Sequence, residues 1–413
     1  MSVDIAFHRA SSTFVPDHPD TTTEPDAGRV QPILAGIVAA LVGFTSSFAV
    51  VLTGLRAVGA TPTEAASGLL AVMITQGVGM VYLSRRYRAP ITLAWSTPGA
   101  ALLAGTGTVV GGWPAAVGAF VVVGVLIVAT GLWPRLGKLI QAIPTSLAQA
   151  MLAGVLLPLC LQPVTAFAAT PAAIAPVILV WLVLQRFSQR WAVPAAFGAA
   201  AIVIAIDVSS QDRIPRALDL IPRIDPTMPH WTWQAIIGIA LPLYIVTMAS
   251  QNIPGVAVMA SFGYQVPWRP VLSITGIGTA LGAPFGGHAI NLAAISAALA
   301  AGPSAHPDTK RRWIAASSAG WFYLLLALCS AAVATLVAIA PPGVVETVAG
   351  LALFGTLGAS LAGALKAETG REAAILTFLI AASGVVIFGI GSAFWALVVG
   401  LILRWVLARK PIE

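Results

Sequence analysis

The residues best suited to chemistry lie in two polar interruptions of a sequence that is otherwise apolar. One interruption is GAPFGGHAINLAAISAAL, residues 282–299, in which a glycine pair precedes His288 and Asn291. The other is STPG, residues 96–99, which follows the β-branched and aromatic stretch Ile91–Trp95. Extended backbone inside a membrane persists only where protein or a watery cavity satisfies its polar groups. Two such interruptions predict a binding site near the middle of a membrane.

Each interruption leads into a run of small residues, which predicts a half-helix that begins at the site. Thr97 is expected to cap the first half-helix with Pro98 at its first position, and Asn291 is expected to cap the second. A helix N-terminus presents unpaired N–H groups and a partial charge of about +0.5, so it binds anions. Because neither interruption contains Lys or Arg, the pair predicts a small anionic substrate such as a carboxylate. Helices kinked by proline and glycine, without a ligand, are the alternative interpretation.

His288 is the residue of the two interruptions whose side chain most specifically suggests a function. The glycine pair Gly286-Gly287 is expected to break the chain and to leave His288–Ile290 extended. Histidine titrates near neutral pH, so His288 can carry a co-transported proton or pair with a carboxylate. The alternative is a neutral histidine that bonds a backbone carbonyl and holds the interruption together.

Another polar group lies in the eighth apolar segment, where Gln251 and Asn252 precede Pro254. Its counterpart in the first segment is the stretch FTSSF, which contains Ser46. Amides and hydroxyls at this depth can line a substrate cavity, or they can form interhelical hydrogen bonds worth about 1 kcal/mol each. The sequence leaves both interpretations open.

The composition places these groups in a protein that crosses a membrane many times. Of the 413 residues, 58% are hydrophobic and only 9% are charged, whereas soluble domains contain about 25% charged residues. The net charge of +7 comes from basic residues dispersed over short loops, which is typical of membrane topology and not of nucleic-acid binding. The sequence offers no metal-ligand cluster, central carboxylate dyad or nucleophile–base pair, so we expect no metal, no cofactor and no enzymatic activity.

Apolar stretches recur along the whole chain, and many can span a hydrocarbon core of about 30 Å as helices. We predict fourteen segments, at residues 31–55, 62–84, 90–107, 113–133, 146–161, 170–188, 192–208, 233–260, 268–282, 284–303, 312–338, 344–365, 372–387 and 388–408. With both termini cytoplasmic, most Lys and Arg residues lie in cytoplasmic loops and tails, as the positive-inside rule requires. An odd number of segments would place the later loops on the wrong side and remove this bias. Fourteen divides into seven plus seven around the polar loop 209–232, which predicts an inverted repeat of the kind common in secondary transporters.

Several long motifs carry a family resemblance. They are TLAWSTPGAALLA at 92–104, IPTSLAQAMLAGVLL at 143–157, QNIPGVAVMASFGY at 251–264, APFGGHAINLAAISAA at 283–298 and GPSAHPDTKRRWIAA at 302–316. In this order they closely resemble the bacterial benzoate:proton symporter family, the BenE type, from Gln31 to about Arg409. The resemblance implies uptake of benzoate with protons across the bacterial cytoplasmic (inner) membrane, by a multi-pass protein.

That family is similar to the uracil permease and anion-exchanger architecture. The resemblance therefore implies an all-α membrane protein with short antiparallel strands and half-helices in spans 3 and 10, and a homodimer through its gate domain. The polar residues 1–30 are expected to form a disordered cytoplasmic tail, and the polar stretch 209–232 a periplasmic loop. The resemblance implies a core domain at 31–133 and 233–338 and a gate domain at 134–208 and 339–409. Alternating access follows from motion of the core domain against the gate domain.

The predicted substrate-binding residues combine both lines of reasoning. They are Ser46, Ser96, Thr97, Pro98, Gly99, Gln251, Asn252, Phe285, Gly287, His288 and Asn291, with His288 also the candidate for proton coupling. Phe285, Leu93 and Phe44 are expected to form the walls for an aromatic ring. Nucleobase permeases of this architecture use glutamates in spans 8 and 10, whereas this chain has amides and a histidine there, so their proton mechanism does not carry over. An uncoupled anion facilitator, or a transporter of another aromatic acid or a nucleobase, is the alternative.

Overall fold

The computed structural model describes residues 28–211 and 216–407, so residues 1–27 of the predicted tail lie outside the described part of the chain. The first half contains α1 (Val30–Ala57), α2 (Pro62–Tyr87), β1 (Leu93–Trp95), α3 (Thr97–Thr106), α4 (Gly112–Leu132), α5 (Pro134–Gln141), α6 (Thr145–Ala169), α7 (Pro171–Phe187) and α8 (Gln189–Ser210). The second half contains α9 (Trp233–Ser261), α10 (Trp268–Gly282), β2 (Ile290–Leu292), α11 (Ile295–Ala301), α12 (Trp313–Ala327), α13 (Ser330–Ile339), α14 (Val344–Leu365), α15 (Arg371–Ala382) and α16 (Ser392–Leu407). Short 3₁₀ turns occupy Ala217–Leu220, Ala283–Phe285 and Thr309–Arg311.

Seven of the described helices are long and apolar enough to cross a membrane, namely α1, α2, α4, α6, α8, α9 and α14. An eighth crossing results if Thr309–Ala327 and Ser330–Ile339, which are bent by 58°, form one span. Most predicted segments correspond to one helix or to a strand followed by a helix, but segment 312–338 consists of the two helices α12 and α13. Segments 372–387 and 388–408 are too long where they adjoin, because α15 ends at Ala382 and α16 begins at Ser392. The mostly helical membrane architecture is therefore established, and the count of fourteen spans stays a prediction.

The predicted end of the fifth segment at 161 is wrong, because α6 continues to Ala169. Pro163 favours a helix end, but a proline inside a helix removes only one backbone hydrogen bond and its ring displaces the carbonyl four residues earlier. That carbonyl belongs to Leu159, and α14 packs on it through Gly350, where a Cβ would lie 2.5 Å from the Leu159 oxygen. Tertiary packing thus maintains the helix past its proline.

Glycines bring helices of the two halves into close contact at two crossings. At the crossing of α2 and α12, a Cβ on Gly77 would lie 2.9 Å from the Gly320 carbonyl oxygen, and a Cβ on Gly320 would lie 2.8 Å from that of Gly77. At the crossing of α4 and α10, the same reciprocal distances for Gly124 and Gly276 are 2.7 and 2.6 Å. Small residues permit such approach between membrane helices. In a seven-plus-seven inverted repeat, α2 corresponds to α10 and α4 corresponds to α12, so the repeat exchanges these two crossings. The similar glycine contacts at both crossings support the predicted inverted repeat.

The helices pack in two groups. In one, α2 and α1 pack on α12 while α4 packs on α10; in the other, α6 packs on α14 and α15, α7 on α8, and α15 on α16. These groups contain the helices predicted for the core and gate domains, and the boundaries of those domains stay predictions. The two groups meet where α1 contacts α14 and α3 contacts α6.

A two-stranded antiparallel sheet lies inside the first group. Its register pairs Leu93 with Leu292, Ala94 with Asn291 and Trp95 with Ile290. The ladder extends at both ends, where the Ser96 N–H donates to the Ala289 carbonyl at 2.8 Å and the Ala293 N–H donates to the Thr92 carbonyl at 3.0 Å. The short strands expected before the two half-helices are therefore present, and they satisfy each other's backbone groups.

Candidate functional site

The first half-helix begins one residue earlier than predicted, because Ser96 and not Thr97 is its N-cap. The Ser96 hydroxyl accepts a hydrogen bond from the Gly99 N–H at 3.1 Å and another from the Thr247 hydroxyl at 2.8 Å. Ser96 is the last residue of the first interruption whose N–H bonds the sheet. Its backbone is therefore not yet helical, as an N-cap residue requires. Thr97 and Pro98 then occupy the first helical positions.

The second half-helix also differs from the prediction, since Asn291 does not cap it. Asn291 lies in β2 and its side-chain amide donates to the Leu292 carbonyl at 2.9 Å, whereas α11 begins at Ile295 without a side-chain cap. The extended run expected at residues 288–290 is found at residues 290–292. The reason lies in the glycine pair: Gly286 (φ 87°) and Gly287 donate to the Ala283 and Gly282 carbonyls. They terminate α10, and the strand starts later.

A cavity of about 150 Å³, called the central cavity below, lies between the two packing groups. Four of the predicted substrate-binding residues line it, namely Ser46, Thr97, Pro98 and Gln251. None of its lining residues is Asp, Glu, Lys, Arg or His. Any charge on a bound molecule must therefore be balanced by backbone groups and neutral side chains.

The beginnings of both half-helices contribute to the central cavity. Thr97 and Pro98 come from the start of α3, and Ala293, Ala294 and Ser296 come from the start of α11. The first N–H groups of a helix have no intrahelical partner and carry partial positive charge. At the start of α3 the donor for a ligand is the Thr97 N–H, because Pro98 has no N–H and the Gly99 N–H donates to the Ser96 hydroxyl. Because β1 and β2 are antiparallel, the two helices start from opposite ends of the ladder and open on the same cavity. This arrangement suits a small anion.

The rest of the lining of the central cavity is largely apolar and aromatic. It includes Trp95, Leu299, Tyr323 and Leu353. The Trp95 indole is fixed by donation to the Ser47 hydroxyl at 2.9 Å, and its ring meets Tyr323 edge-on with centroids 5.9 Å apart. Such surfaces match the flat face and edge of an aromatic ring.

The sequence prediction of the aromatic walls was wrong. Leu93 and Phe44 are buried in the core at 1% and 4% exposure. Phe285 is partly exposed elsewhere, where its carbonyl accepts from the Ser67 hydroxyl at 2.9 Å. Tyr323 was missed, although a phenol inside the run WFYLLLA is itself a signal, since polar groups within spans are often functional.

The other predicted residues lie one layer behind the central cavity. Ser96, Asn252, His288 and Asn291 are fully buried at 0% exposure and do not line it. Gly99 lies within α3 under the Ser96 cap, and Gly287 packs against the Gly282 carbonyl and Ala71. These residues hold the two strands and half-helices in place rather than contact the cavity.

The adjacent side-chain amides of Gln251 and Asn252 in helix α9 face different surroundings. The helix widens into a π-turn at Met248–Asn252, two residues before Pro254, whose ring and missing N–H perturb the preceding turn. Gln251 faces the central cavity. Asn252 faces the sheet, where its Oδ1 accepts from the Leu292 N–H at 2.9 Å. Asn252 therefore connects α9 to β2.

His288 connects the two interruptions. Its Nε2 lies 3.2 Å from the Ser96 carbonyl oxygen, and since a carbonyl only accepts, Nε2 carries the hydrogen. Its Nδ1 has no hydrogen-bond partner among the described residues. This geometry fits the structural alternative, and the role of His288 in proton coupling stays a prediction.

Comparison with known proteins identifies the family. The sequence profile of BenE, described as benzoate membrane transport protein, matches residues 27–406. The chain belongs to the BenE family. It is 40% identical to the inner membrane protein YdcO of Escherichia coli (strain K12), over 89% of this chain and 93% of that protein. It is 28% identical to the benzoate membrane transport protein of Acinetobacter baylyi (strain ATCC 33305 / BD413 / ADP1), over 91% of this chain and 95% of that protein.

Two solved structures share the BenE fold. The transmembrane domain of the cyanobacterial bicarbonate transporter BicA superposes with a TM-score of 0.58 at 15% identity, over 93% of this chain and 98% of that one. Murine Solute Carrier 26 family member A9, an anion transporter in the inward-facing state, gives a TM-score of 0.61 at 13% identity, over 94% of this chain and 69% of that one. At these identities the likeness shows the fold alone.

The family settles the class of the protein. A BenE protein is a membrane transporter and not an enzyme, as the sequence predicted. The names of its relatives and its apolar helices place it in the inner membrane as a multi-pass protein.

The cap of α3 gives a direct test of the site geometry. Ser96→Ala removes the acceptor for both the Gly99 N–H and the Thr247 hydroxyl, so we expect a loss of about 1–2 kcal/mol in unfolding free energy. Thr97→Ala, one residue later, should change it by less than about 0.5 kcal/mol. Unfolding titrations with a denaturing detergent measure both. A larger loss for Thr97→Ala would contradict the assigned cap.

Proposed function

We propose that this BenE protein imports benzoate, or a close aromatic carboxylate, by symport with protons. The observation that carries the proposal is the central cavity, an uncharged space lined by two half-helix starts and by aromatic and aliphatic side chains. The helix starts supply N–H donors for a carboxylate, and the aromatic and aliphatic side chains supply an apolar surface for a ring. The name of the Acinetobacter baylyi relative supports this substrate class.

The neutral groups at the cavity have different proposed roles in binding the substrate. The Thr97 N–H and hydroxyl and the Gln251 amide are the proposed donors to the carboxylate, with the α11 start at Ala294 and Ser296 on its other side. Trp95, Tyr323 and Leu353 hold the ring and exclude water from it. Ser46 contributes a hydroxyl at the edge, while Ser96, Gly99, Asn252, Gly287 and Asn291 position the two strands. Phe285 does not line the central cavity, and we propose no contact between it and the substrate.

Alternating access follows from the placement of the cavity between the two packing groups. Thr97 lies in α3, which packs on α1, and Gln251 lies in α9, which packs on α3 and α4, so both join Tyr323 of α12 in the first group. Leu353 belongs to α14 of the other group. Movement of one group past the other would open the cavity to each side of the membrane in turn. A homodimer through the predicted gate helices would leave the first group free to move.

His288 is the proposed site of the coupled proton. It is the described histidine that lies directly behind the cavity, one hydrogen bond away from Ser96 at the start of α3. A change of charge at His288 would act on the anion through this helix start. The resemblance implies glutamates in spans 8 and 10 of the nucleobase permeases, whereas no carboxylate lines the central cavity here. This difference favours an acid over a nucleobase as substrate.

Uptake of labelled benzoate into proteoliposomes tests the proposal. We expect the wild-type protein to accumulate benzoate above its external concentration only when an inward proton gradient is imposed. Unlabelled aromatic acids should compete and uracil should not. Equilibration without accumulation would replace the symporter with an uncoupled anion facilitator, and competition by uracil would replace benzoate with a nucleobase.

His288→Gln tests the proton site. Glutamine can still donate to the Ser96 carbonyl but cannot be protonated, so we expect benzoate binding to persist within about threefold while gradient-driven accumulation is lost. His288→Ala serves as the comparison that also removes the hydrogen bond. Normal accumulation by the folded glutamine variant would make His288 a positioning residue, and the proton would then enter with benzoate or by another group.

A further inference from the structure

A second cavity of about 690 Å³ lies where the end of α2 meets the start of α12. Its lining includes Arg29, Arg85, Arg88 and Arg311 together with Trp313 and Trp321, and no Asp or Glu. We name this space the arginine cavity. Arg311 already pairs with Asp308 at 3.7 Å, so Arg29, Arg85 and Arg88 supply the positive charge that is opposite in sign to a phosphate.

Aromatic rings fix two of these arginines in place. The Arg88 guanidinium lies 4.4 Å from the centroid of Trp313, and that of Arg85 lies 5.7 Å from the centroid of Trp321. Arg85 also donates from Nε to the Ser317 hydroxyl at 3.2 Å. A guanidinium held by its face keeps its remaining N–H groups available in a planar fork, which suits phosphate oxygens.

An apolar groove leads directly out of the arginine cavity. It has a volume of about 530 Å³, is lined by Val78, Val81, Tyr82 and Leu324 with Arg86 at its side, and shares Arg85 and Trp321 with the cavity. Val78, Tyr82 and Trp321 are each more than half exposed, so the groove lies on the outer surface of the helices. We name it the lipid-facing groove.

The two spaces together fit one amphipathic molecule. We propose that an anionic diacyl phospholipid binds here, with its phosphate in the arginine cavity and one acyl chain along the lipid-facing groove. A soluble phosphate would fill only the cavity, whereas the continuity of the groove with the arginines requires a ligand with a charged end and an apolar chain. Basic pockets between membrane helices bind anionic headgroups by the same electrostatics.

A bound lipid would connect two helices that already cross closely. Arg85 and Arg88 belong to the end of α2, Trp313 and Trp321 belong to α12, and Gly77 and Gly320 form the crossing of the same two helices. The lipid would therefore travel with the first packing group if that group moves during transport.

Native mass spectrometry of the full chain tests the proposal, after exchange into nanodiscs of phosphatidylcholine with a minor fraction of phosphatidylglycerol. We expect the wild-type chain to retain phosphatidylglycerol in preference to phosphatidylcholine. The double variant Arg85→Gln/Arg88→Gln should retain it about 30-fold more weakly, since each basic group near an anionic lipid contributes a factor of about five. The single variant Arg88→Gln, with about a fivefold loss, serves if the double variant does not fold.

The matched control is Arg186→Gln/Arg190→Gln, which removes the same charge from exposed arginines at the α7–α8 junction, outside both spaces. It should retain phosphatidylglycerol like the wild type. Equal losses in both double variants would show a general attraction of charge to the membrane and overturn the site. Displacement of the lipid by millimolar glycerophosphoglycerol, the headgroup without its chains, would assign the cavity to a soluble anion and also overturn the proposal.

Discussion

Replacing Ala294 with aspartate is expected to abolish benzoate binding. Ala294 lines the central cavity at the start of α11, so the new carboxylate would lie within about 5 Å of the bound anion. At an effective dielectric constant of about 20, two like charges at that distance repel by about 3 kcal/mol, or roughly 100-fold in affinity. Isothermal titration or scintillation proximity binding with labelled benzoate measures the loss.

The same substitution should leave the protein folded. An acidic residue at a helix N-terminus interacts favourably with the helix dipole, by about 0.3–1 kcal/mol. Ala294→Asn is the matched control, because it has nearly the same size and shape without the charge. We expect it to bind benzoate within about fivefold of the wild type. A comparable loss in both variants would show that size and not charge excludes the ligand, and the anion site would then not be at α11.

Gln251→Ala is expected to weaken benzoate binding about 10- to 100-fold without lowering stability. Gln251 lines the central cavity, its amide is the proposed donor to the carboxylate, and a hydrogen bond to a charged group is worth about 1.5–3 kcal/mol. Because the side chain faces a cavity, its removal leaves no buried protein group without a partner. Benzoate affinity and unfolding free energy, measured on the same preparation, separate these two effects.

Asn252→Ala is the neighbouring control with the opposite expectation. Its Oδ1 is the acceptor for the buried Leu292 N–H, so the substitution leaves that donor unsatisfied and should cost about 1–3 kcal/mol of stability. Its effect on affinity should follow only from the displaced strand. If Gln251→Ala destabilises the protein and Asn252→Ala does not, the assignment of which amide faces the cavity is reversed.

The sequence by itself determined the class of protein and the two places where its spans break. Polar and glycine-rich interruptions are tolerated in a membrane only where something satisfies their backbone groups, so STPG and GGHAIN predicted the two breaks that the strands β1 and β2 occupy or adjoin. Four predicted residues, Ser46, Thr97, Pro98 and Gln251, line the central cavity. The lack of charge in both interruptions also predicted a cavity that holds an anion with neutral groups.

Only the tertiary structure decided which of the neighbouring polar residues face the cavity. Ser96 rather than Thr97 became the cap because the sheet ladder extends to it, and Asn291 became a strand residue because the glycines terminate the preceding helix. The π-turn at the end of which Gln251 and Asn252 lie decides that Gln251 faces the cavity and Asn252 faces the sheet.

The aromatic and aliphatic wall also came from the tertiary structure, through Tyr323 and Leu353 on helices far along the chain from either interruption. Local sequence specifies where a membrane helix must break, since an unsatisfied backbone group is costly wherever the helix lies. It does not specify which side chain meets a cavity, because that depends on helix rotation and on partners distant in sequence.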